Sequence, residues 1–155
     1  MSTVQPHIEY CASAWSPWTA ADINCIEQVQ IRAVKMVSGL KGKNYAEKLA
    51  ELGLQTLRER RQRTDMIQTF KIINGFDRVP YSTWFTPINQ VRTTRLTADP
   101  KNLEPQFART ETRKNFFSVW VPDAWNSLPS NVKESRNVHV FKKRYDSIMC
   151  RGAAG

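Results

Sequence analysis

The sequence contains few of the residues from which disulfide frameworks, metal sites and nucleophilic active sites are built. Its three cysteines, Cys11, Cys25 and Cys150, lie far apart, are odd in number and form no Cys-x-x-Cys pair. These spacings exclude a disulfide framework and the pattern of a zinc site, so reduced thiols in an intracellular protein are the default interpretation. The two histidines, His7 and His139, stand alone, and we predict no metal site.

Long apolar runs are missing as well. No stretch of the sequence approaches the ~20 apolar residues that a helix needs to span a bilayer. The N-terminus has no basic flank followed by an apolar stretch, which argues against a secretory signal. We therefore expect an intracellular protein with no membrane partner.

The motifs of common enzymes are also absent. There is no phosphate-binding glycine loop, no Gly-x-Ser-x-Gly and no His-Glu-x-x-His. No two acidic residues are adjacent, whereas two-metal nucleotidyl transfer needs carboxylates that share ions about 4 Å apart. Acids distant in sequence can still converge in space, so this weakens the case for catalysis without closing it. We predict no independent enzymatic activity, no cofactor and no small-molecule substrate.

The composition is that of one ordinary globular domain with a basic surplus. The chain has 155 residues, of which 41% are hydrophobic and 24% are charged. It carries 23 Lys and Arg against 14 Asp and Glu, a formal net charge of +9. This charge favours a polyanionic partner, and the alternative is simply a basic, soluble protein.

Helical patterns dominate the first 76 residues. Pro6 fits a first helical position, and apolar residues follow it at helical spacing up to Trp15. Three later helices open on a capping-box pattern, in which a polar cap precedes an acid by three residues. The three pairs are Thr19 with Asp22, Asn44 with Glu47, and Thr56 with Glu59.

Apolar faces follow two of these caps and predict where the helices pack. Behind the first cap the face consists of Ile23, Ile26, Val29, Ala33, Val37 and Leu40. Behind the third it consists of Leu57, Thr64, Ile67, Phe70 and Ile73, and Gly75 closes the helix.

The rest of the chain changes character twice. Residues 77–112 contain four prolines and are predicted to be an irregular connecting segment, with "VRTTRLTAD" as a strand or an extended arm. Residues 113–149 are an aromatic-rich helical part, in which Pro122 bends or splits one helix and Asn137 precedes another. Residues 150–155 are a frayed tail. The predicted fold class is mainly α: a small helical domain with a Pro-rich irregular segment between two helical parts.

Three groups of basic residues are candidates for nucleic-acid contact. Arginine suits phosphate because its planar guanidinium makes paired hydrogen bonds, and cations at a helix N-terminus oppose the helix dipole, so helix stability does not explain them. A solvated helix face explains the first group equally well. The groups are Arg58, Arg60, Arg61 and Arg63; Arg113 and Lys114; and Lys142, Lys143 and Arg144.

Aromatic residues interleave with the second and third groups. Basic residues beside rings are what single-strand binding uses, but Phe141 and Tyr145 stand at the spacing of a helix core. We likewise predict that the stretch after Lys114 forms a structural cluster that packs the C-terminal helices. Its members are Phe116, Phe117, Trp120 and Trp125.

Five blocks in order give the sequence a family resemblance. They are "PHIEYCASAWSPW", "IEQVQIRAVKMVSGL", "LGLQTLRERRQRTDMIQTFKIINGFD", "RKNFFSVWVPDAWNSLP" and "VHVFKKRYD". Together they resemble the C-terminal part of the reverse transcriptases of jockey-like non-LTR (LINE) retrotransposons, from about Val4 to Ile148.

The resemblance implies a thumb-like helical part at 1–76 and a segment beyond it, which would hold template RNA and nascent DNA near an active site. The implied partners are RNA, an RNA–DNA hybrid and the rest of the reverse transcriptase, and the implied location is the nucleus. The palm, with its Tyr-x-Asp-Asp motif and its magnesium-binding acids, would precede this region, and the present chain contains no such motif. A helical protein-interaction module, or a non-functional translation of a degenerate element, are the alternatives.

Overall fold

The computed structural model describes residues 17–88 and 99–152. Within these two stretches the chain forms eight helices and no strand, and a single antiparallel bridge joins Pro87 to Leu103. The predicted mainly α fold class is therefore confirmed. The helices are α1 Ala20–Lys35, α2 Tyr45–Glu51, α3 Leu57–Ile73, α4 Tyr81–Trp84, α5 Glu111–Lys114, α6 Phe117–Asn126, α7 Ser130–Lys133 and α8 Val138–Gly152.

Some predicted elements lie outside the described residues, and others differ in extent. The helix predicted after Pro6 and most of "VRTTRLTAD" fall outside them. The helix α6 continues through Pro122 to Asn126, so this proline does not split it. The helix α8 extends to Gly152, so the start of the predicted tail is helical.

The chain divides into two compact units, Met1–Thr64 and Asp65–Gly155. The sequence-based division falls later, after the glycine that ends α3, where the positive φ of Gly75 (68°) suits a residue without a side chain. The boundaries differ because the second half of α3 supplies core residues to the second unit. These are Met66, Ile67, Phe70 and Ile72.

Local capping explains where the helices of the first unit begin. The Thr19 hydroxyl accepts a hydrogen bond from the backbone N–H of Asp22 at 3.2 Å. Asn44 and Glu47 form a full capping box, with reciprocal side-chain and backbone bonds. Thr56 and Glu59 repeat this arrangement at the start of α3. These bonds satisfy backbone groups that a helix end leaves without partners.

The buried face of α1 differs from the predicted one. The helix ends at Lys35, before Val37 and Leu40, and Val29 is 40% exposed. Its buried residues are Gln30 and Val34. Burial of Gln30 is possible because its amide donates to the Tyr45 hydroxyl at 3.1 Å and to the backbone carbonyl of Gln55 at 3.0 Å.

A polar junction joins the three helices of the first unit. The Glu27 carboxylate accepts hydrogen bonds from the Tyr45 hydroxyl and from the Leu57 backbone N–H at 3.2 Å, at the N-terminus of α3. Burial, and then the neighbouring Glu27 carboxylate, raise the pKa of Tyr45 above its ordinary value. Tyr45 is therefore held in its neutral, hydrogen-donating form.

The second unit contains the main hydrophobic core, built around stacked rings. The Phe141 ring lies 4.4 Å from that of Phe70 and 5.9 Å from that of Trp125, measured between centroids. The Tyr145 ring continues the stack at 6.0 Å from Phe141. All four side chains are at most 2% exposed. Phe141 and Tyr145 are thus core residues, as their helical spacing predicts.

Trp125 and Asn126 hold the chain segment between Pro100 and Pro105. The Trp125 indole N–H donates to the Lys101 carbonyl at 2.8 Å. The Asn126 side chain accepts from the Leu103 backbone N–H and donates to the Leu103 carbonyl, each at 2.8 Å. Because both backbone groups of buried Leu103 are satisfied, the irregular segment can pass through the core.

Lys133 completes this attachment from α7. Its ammonium, 2% exposed, donates to the Asp99 carboxylate at 3.2 Å, the Asn102 side-chain oxygen at 2.6 Å and the Asn126 carbonyl at 3.3 Å. Three acceptors match the three protons of an ammonium, which offsets the cost of burying it. The part of residues 77–112 that begins at Asp99 is therefore firmly attached to the second unit.

Candidate nucleic-acid interface

The four arginines predicted on α3 do not share one environment. Arg58 is exposed, Arg60 and Arg63 are half-buried, and Arg61 is only 5% exposed. Arg61 follows buried Leu57 by one helical turn, so the two residues lie on the same face of the helix. Arg58, Arg60 and Arg63 therefore reach solvent, whereas Arg61 is almost entirely buried.

The basic residues of α8 stand between two core residues in the sequence, Phe141 and Tyr145, but are not buried themselves. Lys143 and Arg144 are exposed and Lys142 is half-buried. Arg144 donates a hydrogen bond to the backbone carbonyl of Asn131, on α7. The neighbouring rings of Phe141 and Tyr145 are buried, so they offer no stacking surface here. This group presents charge without exposed aromatic rings.

The basic residues of α5 combine charge with an exposed ring. Thr110 caps this short helix by accepting a hydrogen bond from the Arg113 backbone N–H at 3.3 Å. Lys114 forms an ion pair with Glu111. The guanidinium carbon of Arg113 lies 5.0 Å from the centroid of the Phe116 ring, within the range of a cation–π contact.

The four predicted structural aromatics divide between the core and the surface. Phe117 and Trp125 are 5% and 0% exposed, and half-buried Trp120 packs against the core. Phe116 differs, since it is 40% exposed and belongs to no buried cluster. Phe116 is the N-cap residue of α6 and has an extended backbone, so it precedes the helix and is not part of the helical face that Phe117 and Trp125 bury.

Trp84 connects this exposed ring to the core. Its indole stacks on the Phe116 ring at 6.3 Å with a 21° interplanar angle, and meets the buried Phe117 ring edge-on at 5.8 Å and 81°. Gln106 donates a hydrogen bond of 3.5 Å to the Trp84 carbonyl, and the next residue, Phe107, is 89% exposed. We call Trp84, Phe116 and Arg113 the ring platform.

The sequence did not single out Trp84 or Lys133. Trp84 stands in "YSTWF", between Pro80 and Pro87, where no periodic pattern marks a core or a surface position. Lys133 reads as one more surface lysine. A tryptophan in a Pro-flanked segment is the one sequence feature that could have indicated the ring platform. No sequence feature indicates that Lys133 is buried.

The two units carry different amounts of charge. Residues 65–155 contain 14 Lys and Arg against eight Asp and Glu, a net charge of +6. Residues 1–64 contain nine against six, a net charge of +3. The ring platform lies in the second unit. This unit is the more basic of the two, so its attraction for a polyanion is stronger.

The described stretches contain neither a metal-ion cluster nor a membrane-spanning helix. No group of three or more His, Cys, Asp and Glu side chains in residues 17–88 and 99–152 is arranged to hold a metal ion. None of the helices described above has the length and apolar character needed to cross a membrane.

Comparison of the whole chain with known proteins gives no further information about the interface. Protein-family models, curated proteins and solved structures were compared with the chain, and none of them matches it. The candidate residues are therefore described by their geometry alone. The first unit carries exposed Arg58 on α3, and the second carries exposed cations on α5 and α8 and the exposed Phe116 ring beside α5.

Proposed function

We propose that this chain is a non-catalytic, nucleic-acid-binding part of a reverse transcriptase of the kind that its five sequence blocks resemble. It contacts template RNA and nascent DNA through the phosphates, by means of its basic helices. Its partners are RNA or an RNA–DNA hybrid and the rest of the polymerase, which supplies the palm and its magnesium ions. The proposed setting is intracellular, and nuclear by the resemblance alone.

One observation carries the proposal: eight of the nine predicted basic contact residues reach solvent. Five are exposed and three are half-buried, and only Arg61 is buried. Lys and Arg are ordinarily exposed in folded proteins, so this exposure supports the proposal because it leaves the cations within reach of a phosphate. A protein that neutralises phosphates with exposed Lys and Arg releases counterions from the nucleic acid. Its affinity therefore depends steeply on salt.

Fluorescence anisotropy with a labelled RNA–DNA hybrid tests this proposal. We expect log affinity to fall linearly with log salt, with a slope of roughly −0.7 to −0.9 for each neutralised phosphate. Replacing Arg58, Arg60 and Arg63 together with Gln is expected to flatten the slope by about two units or more. Absent binding, or binding that salt does not weaken, would contradict the proposal.

The matched control removes the same charge elsewhere in the same unit. Arg32, Lys35 and Lys41 are exposed and belong to none of the predicted groups. Replacing these three with Gln is expected to leave the slope close to that of the wild type. If both triple variants flatten the slope equally, net charge attracts the nucleic acid and α3 is not the contact surface.

A second candidate function is a helical module that binds another protein. The observation in its favour is that large apolar side chains remain exposed, with Phe107 at 89% and Phe76 at 53% in the second unit. A stoichiometric protein complex seen by light scattering, together with no affinity for nucleic acid, would select this function over the first.

A further inference from the structure

The ring platform has a geometry that charge attraction alone does not require. A phosphate contact needs only an exposed cation, and Lys143 and Arg144 provide that without any exposed ring. At the ring platform a cation and an exposed ring are in direct contact, because the Arg113 guanidinium lies over the Phe116 ring. A nucleotide has an anionic phosphate and a flat base. At the ring platform the guanidinium suits the phosphate and the adjacent ring suits the base.

The core holds the ring platform in position. Trp84 is half-buried and meets buried Phe117 edge-on, while its indole plane stacks on Phe116. Phe116 is joined directly to Phe117, which is 5% exposed. Trp84 and Phe117 therefore restrict the movement of the exposed Phe116 ring, so little conformational entropy is lost when a base stacks on it.

Arg113 covers the ring only loosely. It is exposed, its side chain is long, and a cation–π contact at an exposed position is weak. A planar guanidinium that leaves the ring can form paired hydrogen bonds with a phosphate. The surrounding charge favours this exchange: Arg109 is exposed, and the acid Glu111 is already paired with Lys114.

From this geometry we propose that the ring platform is a stacking site for an unpaired base of a single-stranded nucleic acid. The base takes the face of Phe116 that Arg113 covers, and the guanidinium moves to the adjoining phosphate. The inference rests on the proposed function and deepens it, because it assigns base contact to one site and leaves phosphate contact to the other basic helices. The partner is a strand with unpaired bases, since the bases of a duplex are already stacked.

Two labelled 12-nucleotide strands test the inference with the full chain. One is oligodeoxyadenylate, and the other is an abasic strand with the same number of phosphates. We expect the wild-type protein to bind the base-bearing strand at least about fivefold more tightly, which is the smaller end of the range for one stacked base. This comparison requires no variant and therefore no assumption about folding.

A variant then locates the effect. Phe116→Leu keeps an apolar side chain against Trp84 but removes the ring. We expect it to lower affinity for oligodeoxyadenylate by about fivefold, with an unchanged salt slope and unchanged affinity for the abasic strand. Phe76→Leu, at another exposed phenylalanine of the same unit, is the matched control and should bind both strands like the wild type.

Arg113→Gln distinguishes the phosphate contact of Arg113 from the base contact of Phe116. It should weaken binding of both strands and reduce the magnitude of the salt slope by roughly 0.7, because one phosphate contact is lost. Equal, salt-dependent wild-type binding of the two strands, or no effect of Phe116→Leu, would overturn the stacking site and leave the proposed function intact. If the protein binds neither of the two strands and does not bind the hybrid, the stacking site and the proposed function are both overturned.

Discussion

Single residues in the second unit show how a polar side chain is made compatible with a core. Lysine is almost never fully buried unless it is paired, and Lys133 is 2% exposed. Its partner Asp99 also accepts hydrogen bonds from the Lys101 backbone N–H at 2.9 Å and from the Ser130 hydroxyl at 3.0 Å. Burial disfavours the charged carboxylate, but these bonds and the ammonium outweigh it, so the pKa of Asp99 lies below its ordinary value.

This lowered pKa makes stability depend on pH in acid. In the unfolded chain the carboxyl takes up a proton at about pH 4, whereas in the folded protein it resists protonation to lower pH. The ionised form therefore stabilises the fold above about pH 4, and this contribution is lost as the pH falls through the folded-state pKa. We expect Asp99→Asn to lose less stability than the wild type between pH 5 and about pH 2, in urea-unfolding free energies measured at each pH.

At neutral pH the same substitution should be destabilising, by about 1–3 kcal/mol, because Lys133 loses its counter-charge inside the protein. Asp123→Asn, which makes the same charge change at an exposed position of α6, is the matched control. It should leave stability at neutral pH within about 0.5 kcal/mol of the wild type. A pH profile of Asp99→Asn that parallels the wild-type profile would mean that the buried pair does not set the acid limit.

At the scale of elements, side chains of α6 replace a missing strand partner. The segment around Leu103 forms one bridge to Pro87, and Glu104 donates a backbone hydrogen bond to the Thr86 carbonyl at 3.0 Å. The backbone groups of Leu103 itself are satisfied by the amide of Asn126, which presents one donor and one acceptor as a neighbouring strand would. Asn126 thus allows a proline-interrupted segment to enter the core without regular secondary structure.

Replacing Asn126 should therefore cost more than an ordinary surface substitution. Asn126→Ala leaves two backbone groups of fully buried Leu103 without partners, and we expect the free energy of unfolding to fall by about 2–4 kcal/mol. Asn126→Asp keeps the acceptor but places an oxygen against the Leu103 carbonyl, so it should also destabilise the protein. Urea unfolding followed by circular dichroism measures both effects.

Asn131→Ala, at an exposed position of α7, is the control for the loss of an asparagine side chain. Its effect should stay within about 0.5 kcal/mol of zero. If Asn126→Ala is as mild as this control, water must satisfy Leu103 in place of the amide, and the attachment of the segment depends on Lys133 and Trp125 instead.

At the scale of the whole molecule, apolar burial is concentrated in the second unit. Fourteen of the eighteen buried hydrophobic residues in the described part of the chain lie between Met66 and Tyr145. The remaining four, Val34, Leu40, Leu49 and Leu57, lie in the first unit. The first unit is held together in part by capping boxes and by the polar junction at Glu27. These interactions contribute less to the free energy of unfolding than a packed core does.

This distribution predicts that the second unit folds without the first. A fragment of residues 57–155, which keeps α3 whole, is expected to unfold in one cooperative transition in urea. Phe141→Ala in the same fragment is the comparison variant, since it removes the ring at the centre of the aromatic stack and should cost about 3–5 kcal/mol.

A gradual, non-cooperative transition of the unsubstituted fragment would contradict this prediction. The same behaviour in the full chain would favour the interpretation as a non-functional translation of a degenerate element, which need not fold. A cooperative transition that Phe141→Ala weakens would instead show that the core of the second unit is stable without residues 1–56.

The sequence by itself determined the features of this protein that depend on near neighbours. The three cap pairs join residues three positions apart, and the glycine after α3 adopts a positive φ because it has no side chain, so helix starts and ends could be predicted. The mainly helical class and the core positions of Phe70, Phe141 and Tyr145 follow from the same short-range periodicity.

Only the tertiary structure decided which polar residues are buried and which ring is exposed. Asn126 finds Leu103 at a separation of 23 residues, and Lys133 finds Asp99 at 34. No periodic pattern encodes such pairs, because their stability depends on desolvation and on acceptors brought from distant segments. For the same reason the burial of Arg61 escaped prediction. Phe116 escaped it because this residue precedes α6 as its N-cap, so the periodicity of the helix does not place its ring.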